Sequence, residues 1–395
     1  APYEIATGGH LRLGNETISG DSVDLNGDSF VDRIDAAYRP PHVSLGKRGD
    51  FEPVGTWNWP TTTAAPRAVR KSDNDGNLQT NVFDLDGDGF TDLVDSNPLS
   101  CGAAAGRWCV WRGSASGFAG TVTTWLSPVT RLRSTRDGGA KVVTDLIDID
   151  ADGRLDLVDT TPYNAEAGLR YWNVYRNTGL SFSTIPARFA APRGSLTRSA
   201  HGRLVHGVFD INADSLPDLV VADPDEPADQ VSWTQVGQWE VYLNDGTGLS
   251  LSPTAWPIDG GVDESVGLPN FVSLQADDGT TIADLFDITG DGRPDLVRRT
   301  RKIESAYADV PRLCDQRSRC LSPDVEDSAV SGGLCCFNLL VFVNTGSSFS
   351  QPIGWSSPAH GLRSDFDNCP YDTAGCSVTL LYDFDFFDVD GDGLV

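Results

Sequence analysis

The chain has 395 residues, with 30 basic against 56 acidic side chains and a formal net charge of -26, which argues against nucleic acid or an anionic membrane surface as partner. A hydrophobic fraction of 39% is enough for a core, while 41 Gly and 23 Pro signal many turns rather than long helices. No stretch approaches the roughly 18 apolar residues of a spanning helix, and the most apolar segment, Phe337 to Val343, is strand-sized.

The chain starts at Ala1 and contains no Met, as expected of a processed N-terminus whose signal peptide has been removed. Residues 1–15 form an N-terminal segment, and Asn15-Glu16-Thr17 reads as a glycosylation sequon in a source that glycosylates. From there one acidic loop recurs, and each copy belongs to a larger unit. Unit 1, near 16–60, carries Asp24, Asn26, Asp28 and Asp32 at loop positions 1, 3, 5 and 9. Unit 2, near 78–126, carries Asp84, Asp86, Asp88 and Asp92, and unit 3, near 140–190, carries Asp148, Asp150, Asp152 and Asp156. Unit 4, near 204–257, has Asp210, Asn212, Asp214 and Asp218. Unit 5, near 281–356, has Asp287, Thr289, Asp291 and Asp295. A sixth unit, near 377–395, opens with Asp388, Asp390 and Asp392 and is cut off.

A second landmark follows each loop. The pattern V-x-x-[N/G]-x-x-x-x-[F/L] starts at Val43, Val110, Val174, Val241 and Val341 and ends at Phe51, Phe118, Phe182, Leu249 and Phe349. A large aromatic comes shortly after, at Trp57, Trp125, Phe189, Trp256 and Trp355. Such in-register rings are expected to pack between neighbouring units rather than to form a sugar-stacking platform. In unit 3 the alternating runs read as four strands, with Asn177 to Gly179 as a hairpin turn that tolerates positive φ. The expectation is an all-β protein, a β-propeller of four-stranded antiparallel blades. Five units are complete and a sixth is truncated, so six or seven blades make a complete ring.

Carboxylates and amides at positions 1, 3, 5 and 9 can converge on one hard cation, which takes six to eight oxygens when it is calcium. The loops hold twenty of the acidic side chains, so about one Ca2+ per repeat, up to six, would turn their mutual repulsion into attraction. Loops 2 and 3 are the richest, and loop 5, with Thr289, is the weakest. Ser29 and Ser215 stand where four loops have Gly at position 6, at a cost of about 1 kcal/mol if positive φ is required there. Position 12 is Asp35, Asp95 and Asp159 in the first three loops, as in an EF-hand, but the flanks are strands rather than helices.

Eight Cys without zinc spacing imply disulfides and an extracellular home, the cell surface or periplasm included. Cys101 with Cys109 and Cys369 with Cys376 close small loops, while Cys314, Cys320, Cys335 and Cys336 cross-pair in a Cys-rich insertion, 309–336. None of His10, His42, His201, His206 and His360 sits in a triad pattern, and no catalytic residue is nominated. Arg48-Gly49-Asp50 spells an adhesion tripeptide at a hairpin turn, where the repeat itself demands Gly and Asp.

The acidic loop followed by Asp-Leu-Val, then the hairpin from Trp172 to Phe182 and again from Trp239 to Leu249, resembles the FG-GAP or VCBS-type calcium-binding propeller repeat. It looks most like the N-terminal propellers of bacterial Tc-toxin B-components and Rhs-type secreted proteins, and more distantly like integrin α heads. The resemblance implies a secreted, non-enzymatic adhesion, assembly or structural module with a protein or glycan partner and no membrane insertion. The alternatives are a propeller domain of a larger secreted toxin or enzyme, and a glycan-binding lectin. An unfinished sixth blade would also leave an edge for self-assembly.

Overall fold

A computed structural model describes residues 17–18, 20–38, 40–47, 50–54, 56–61, 65–200, 202–223, 235–259, 268–275, 281–299, 339–355, 364–365 and 382–384. The sixth loop, the whole Cys-rich insertion 309–336, six of the eight Cys, and His10, His201 and His360 lie outside them. Within them the chain is all-β and antiparallel, with a single 3-10 turn at Pro98–Ser100 and no α-helix.

Unit 1 is a four-stranded sheet of β2 (Gly20–Val23), β3 (Asp32–Asp35), β4 (His42–Lys47) and β5 (Asp50–Val54), in that order. Unit 2 opens with a short strand, β6 (Arg70–Ser72), which pairs with β1 (Thr17–Ile18) on one side and β7 (Leu78–Phe83) on the other. Its sheet continues through β8 (Asp92–Asp95), β9 (Arg107–Trp111) and β10 (Thr123–Leu126). Unit 3 repeats the plan with β11 (Ser134–Arg136), β12 (Lys141–Ile147), β13 (Asp156–Asp159), β14 (Tyr171–Tyr175) and β15 (Ala187–Ala190). Unit 4 has β16 (Thr197–Ala200), β17 (Arg203–Phe209), β18 (Asp218–Val221), β19 (Gln235–Val236), β20 (Gln238–Tyr242) and β21 (Thr254–Pro257). Unit 5 has β22 (Leu268–Pro269), β23 (Ser273–Gln275), β24 (Thr281–Phe286), β25 (Asp295–Arg299), β26 (Leu339–Phe342) and β27 (Ile353–Trp355). A last pair joins β28 (Ser364–Asp365) to β29 (Tyr382–Phe384).

Each of the five described acidic loops therefore joins the first two long strands of its unit, as the sequence register requires. The short leading strand, a fifth member in units 2 to 5, is absent from the four-stranded expectation. It carries the connection between neighbours: β16 pairs with β12 of unit 3 and β23 with β17 of unit 4. Segments such as Arg70-Lys71-Ser72 are three polar residues long and give no alternation to read.

The core lies in the seams between units. The Asp-Leu-Val strand is buried on both faces in unit 2 and unit 4, which is why it reads as a continuous apolar run rather than an alternating one. Its Leu faces the preceding unit and its Val the following one. Leu157 joins unit 2 residues Val94, Trp108 and Trp125, whereas Val158 joins unit 4 residues Leu219, Tyr242 and Leu249. The same alternation places Leu219 on unit 3 and Val220 on unit 5. Trp57, Trp125, Phe189 and Trp256 are buried, at most 2% exposed, so these rings pack the seams and present no stacking face. The hairpin residues Phe118, Phe182 and Phe349 meet Trp59, Trp108 and Trp239 of the preceding unit edge-to-face, at 5.2 to 5.3 Å between centroids.

Cys101 and Cys109 form a disulfide that closes the β8–β9 connection across the 3-10 turn.

Candidate metal centre

The acidic loops coil because their own carboxylates accept their own amides. In loop 2, Asp84 Oδ1 accepts from Gly87 N at 2.8 Å and Asp88 N at 3.2 Å, while Oδ2 accepts from Gly89 N at 2.9 Å. Asp88 Oδ1 accepts from Phe90 N at 2.9 Å. Asp24, Asp148, Asp210 and Asp287 each hold the amide of the position-6 residue in the same way, at 2.7 to 2.9 Å.

This coil requires positive φ at two places. Position 6 adopts it as Ser29 (72°), Gly89 (90°), Gly153 (85°), Ser215 (71°) and Gly292 (86°). Position 4 adopts it too, as Gly27 (73°), Gly87 (77°), Ala151 (58°), Ala213 (62°) and Gly290 (72°). The second requirement was hidden in the sequence by the alanines. Gly27 and Gly87 are further constrained by close approach, because a Cβ would stand 2.1 Å from Gly89 O and 2.7 Å from Gly153 O of the next loop. Neighbouring acidic loops thus abut through their backbones.

Among the described residues, two loops bring three carboxylates together: Asp84, Asp86 and Asp88, and Asp148, Asp150 and Asp152, each group with oxygens within 4.8 Å of one another. These are the two loops richest in Asp. Where position 3 is an amide, the site closes on itself: Asn26 and Asn212 each donate Nδ2 to the position-5 carboxylate, Asp28 and Asp214, at 2.9 Å. In loop 5, Thr289 donates its hydroxyl to Asp295 at 3.0 Å. The sixth-loop residues Asp388, Asp390 and Asp392 lie outside the described residues.

The position-9 carboxylate stands behind the other three. It is fully buried in all five units, and Oδ1 accepts from the hairpin amide of Gly46, Gly113, Asn177, Asn244 or Asn344, each at 2.7 Å. In loops 1 and 2 its Oδ2 also accepts from the position-2 amide, Leu25 N at 2.8 Å and Leu85 N at 3.2 Å. This residue therefore ties loop to hairpin whatever else it binds. Burial pushes its carboxyl up, to about 6 at Asp32, about 7 at Asp92 and Asp156 and about 8 at Asp218, against the pull of the hairpin amide. Burial likewise raises Asp84, Asp86, Asp150 and Asp210, with neighbouring carboxylates adding to it.

A cation fits this donor set on the evidence of unsatisfied oxygens. Oδ1 of Asp86, Oδ1 of Asp150 and Oδ2 of Asp218 are buried without a hydrogen-bond partner, a costly arrangement that a hard cation would relieve. Two arginines that sequence reading missed touch the same groups: Arg112 Nη1 pairs with Asp86 Oδ2, and Arg176 Nη1 with Asp150 Oδ2 and, at 2.7 Å, Asp156 Oδ2. The signal available was their shared position two residues after Val110 and Val174.

His206 is buried 3.0 Å from Ser195 Oγ, and burial lowers its pKa to about 3, so its ring is neutral. Of the adhesion tripeptide only Asp50 is described, at the start of β5 with an exposed side chain.

No protein-family model and no curated protein matches the chain. Solved structures do. A lectin from Agrocybe aegerita that recognises non-reducing terminal N-acetylglucosamine is 15% identical, with 86% of this chain and 66% of that chain covered at a TM-score of 0.43. The Photorhabdus luminescens Tc holotoxin pore is 13% identical over 77% of this chain and 14% of that chain, at 0.36. An exo-1,5-alpha-L-arabinanase from a bovine ruminal metagenomic library is 10% identical over 73% of this chain and 89% of that chain, at 0.23. The chain thus spans about two thirds of the lectin's length and a small part of the toxin's, and at these scores the likenesses carry no argument about fold or function.

Proposed function

We propose that the chain is a secreted, calcium-stabilised β-propeller that acts as a non-enzymatic adhesion, assembly or structural module toward protein or glycan surfaces. The observation that carries the metal reading is the buried Oδ1 of Asp86, which has no hydrogen-bond partner, in a carboxylate grouped with those of Asp84 and Asp88 by oxygens within 4.8 Å of one another. The propeller reading is supported by sheets of one plan that follow one another in sequence, with the first long strands linked through the short leading strands and the core in the seams. Positions 1, 3 and 5 of loops 2 and 3 are the residues that would hold the ion. Bound there, calcium supplies charge neutralisation and oxygen coordination, not a reacting centre.

Melting the full chain with calcium and with excess chelator tests this. Chelation is expected to lower the melting temperature, since each site can contribute up to roughly 2.7 kcal/mol at 100 times its dissociation constant. A melt unchanged by both additions would overturn the metal reading. The same melt run between pH 5 and 8 adds a sign. A carboxyl whose folded pKa lies above its unfolded value of about 3.9 holds its proton more tightly when folded. Stability of the chelated chain therefore falls as pH rises from about 4 through the folded values near 7 at Asp92 and Asp156. Calcium, which competes with those protons, flattens the fall.

A further inference from the structure

Arg112 and Arg176 occupy one place in the repeat, where units 1, 4 and 5 have Leu45, Leu243 and Val343. Of the five units with both loop and hairpin, units 2 and 3 alone have a carboxylate at position 3, and the others have Asn26, Asn212 and Thr289. Arginine therefore appears where position 3 is Asp and an aliphatic residue where it is neutral. At this place of the repeat, four carboxylates with one guanidinium and three carboxylates with none both leave a net -3, and Arg154 and Arg293 at position 7 bring units 3 and 5 to -2 alike. The pairing is physical as well as statistical, since each guanidinium contacts its own unit's position-3 carboxylate. The Asp86 side chain is only 4% exposed, and its Oδ1 has no partner, so the group is held from one side by arginine and left open on the other. Arg154 and Arg293, at position 7, pair with the position-5 carboxylates Asp152 and Asp291. They do so beside an Asp and a Thr at position 3 alike, so they do not follow this pattern.

We propose that Arg112 and Arg176 are built-in counter-ions that set the calcium affinity of loops 2 and 3, holding four-carboxylate loops at the net charge of three-carboxylate ones. The inference rests on the calcium reading above. A guanidinium fixed on a ligand carboxylate subtracts from the field that attracts a second cation. Without a cation it is what keeps the buried position-3 charge paired. Arg112 does more, because its Nη2 donates to Gly179 O at 2.8 Å in the hairpin turn of unit 3. A change at loop 2 is thereby transmitted across a seam.

The test is calcium titration of the full chain by isothermal calorimetry, in wild type and in R112Q, R176Q and R112Q/R176Q. One equivalent per substituted loop is expected to bind at least tenfold more tightly, with two such equivalents in the double variant. D86N/R112Q, which restores a neutral position 3, is expected to return to wild-type affinity, and R112K, which keeps the charge, to stay there. Folded R112Q and R176Q with unchanged or weaker binding would overturn the inference, as would R112K gaining as much as R112Q. Should loss of the Gly179 contact unfold R112Q, R176Q alone decides the matter. A wild-type chain that takes up no calcium overturns the metal reading and this inference together, whereas one that binds while its Gln variants do not tighten overturns the inference alone.

Discussion

Units 1 and 4 follow one template and present different backs. In unit 4 the residues that face unit 3 are Leu219, Leu249 and Asn244, all buried. Unit 1 has Arg33, Phe51 and Gly46 at the same register positions. Arg33 is exposed, its guanidinium sits 5.7 Å over the Phe51 ring, and Phe51 is 40% exposed. The four hairpin counterparts of Phe51 are at most 3% exposed. The difference teaches that seam contacts, rather than the strands themselves, fix which residue each position requires.

Exchanging the two backs gives the largest expected effect. Leu219→Arg forces a charge into the seam among Val158, Trp172 and Tyr242, and the cost of an unpaired buried charge is about 4 kcal/mol or more. Arg33→Leu is expected to change stability by about 0.5 kcal/mol or less. Chemical denaturation of both variants checks the pair. A loss above about 1 kcal/mol in Arg33→Leu would mean that unit 1's back is engaged, and the comparison would break there.

The pin across each seam gives the second effect. Asn177, Asn244 and Asn344 donate Nδ2 to the position-2 carbonyl of the preceding loop, Leu85, Ile149 and Ile211, at 2.6 to 2.9 Å. Each also donates to a carbonyl of its own loop and accepts from the turn glycine. Unit 2 cannot use this device, since any Cβ at Gly113 would stand 2.2 Å from Thr91 O. Thr91 Oγ1 instead donates to Asp24 O of loop 1 at 2.5 Å. Asn244→Ala, which strands two buried carbonyls, is expected to cost about 2 to 3 kcal/mol, and Thr91→Val, which strands one, about 1 kcal/mol. Equal losses measured by denaturation would show that the two pins are interchangeable.

Strand order, loop position and the seam aromatics were legible because they repeat in register and obey period-2 alternation. The leading strands were not, because three polar residues such as Arg70 to Ser72 pair through backbone alone. The position-9 Asp looked like one more ligand, and its bond to a hairpin amide some 14 to 49 residues away leaves no local trace. The arginines were legible in principle, but only by comparing position 3 with a hairpin residue beyond it, a contact across strands rather than along the chain.

The smallest effect tests what units 1 and 4 share. Ser29 and Ser215 hold φ of 72° and 71° at position 6, where three other loops place Gly at 85° to 90°. An L-residue there carries strain that Gly avoids, offset in part by the greater freedom of Gly in the unfolded chain. Ser215→Gly is expected to stabilise by about 0.5 to 1 kcal/mol, and Ser29→Gly by the same amount. Both side chains lie at the solvent edge of their loops, so no packing term intervenes. Equal gains in the two denaturation curves would mean that the loops of units 1 and 4 are equivalent even though their backs are not. A gain in unit 4 alone would locate the difference between the units in the loop itself, and the seam would no longer account for it.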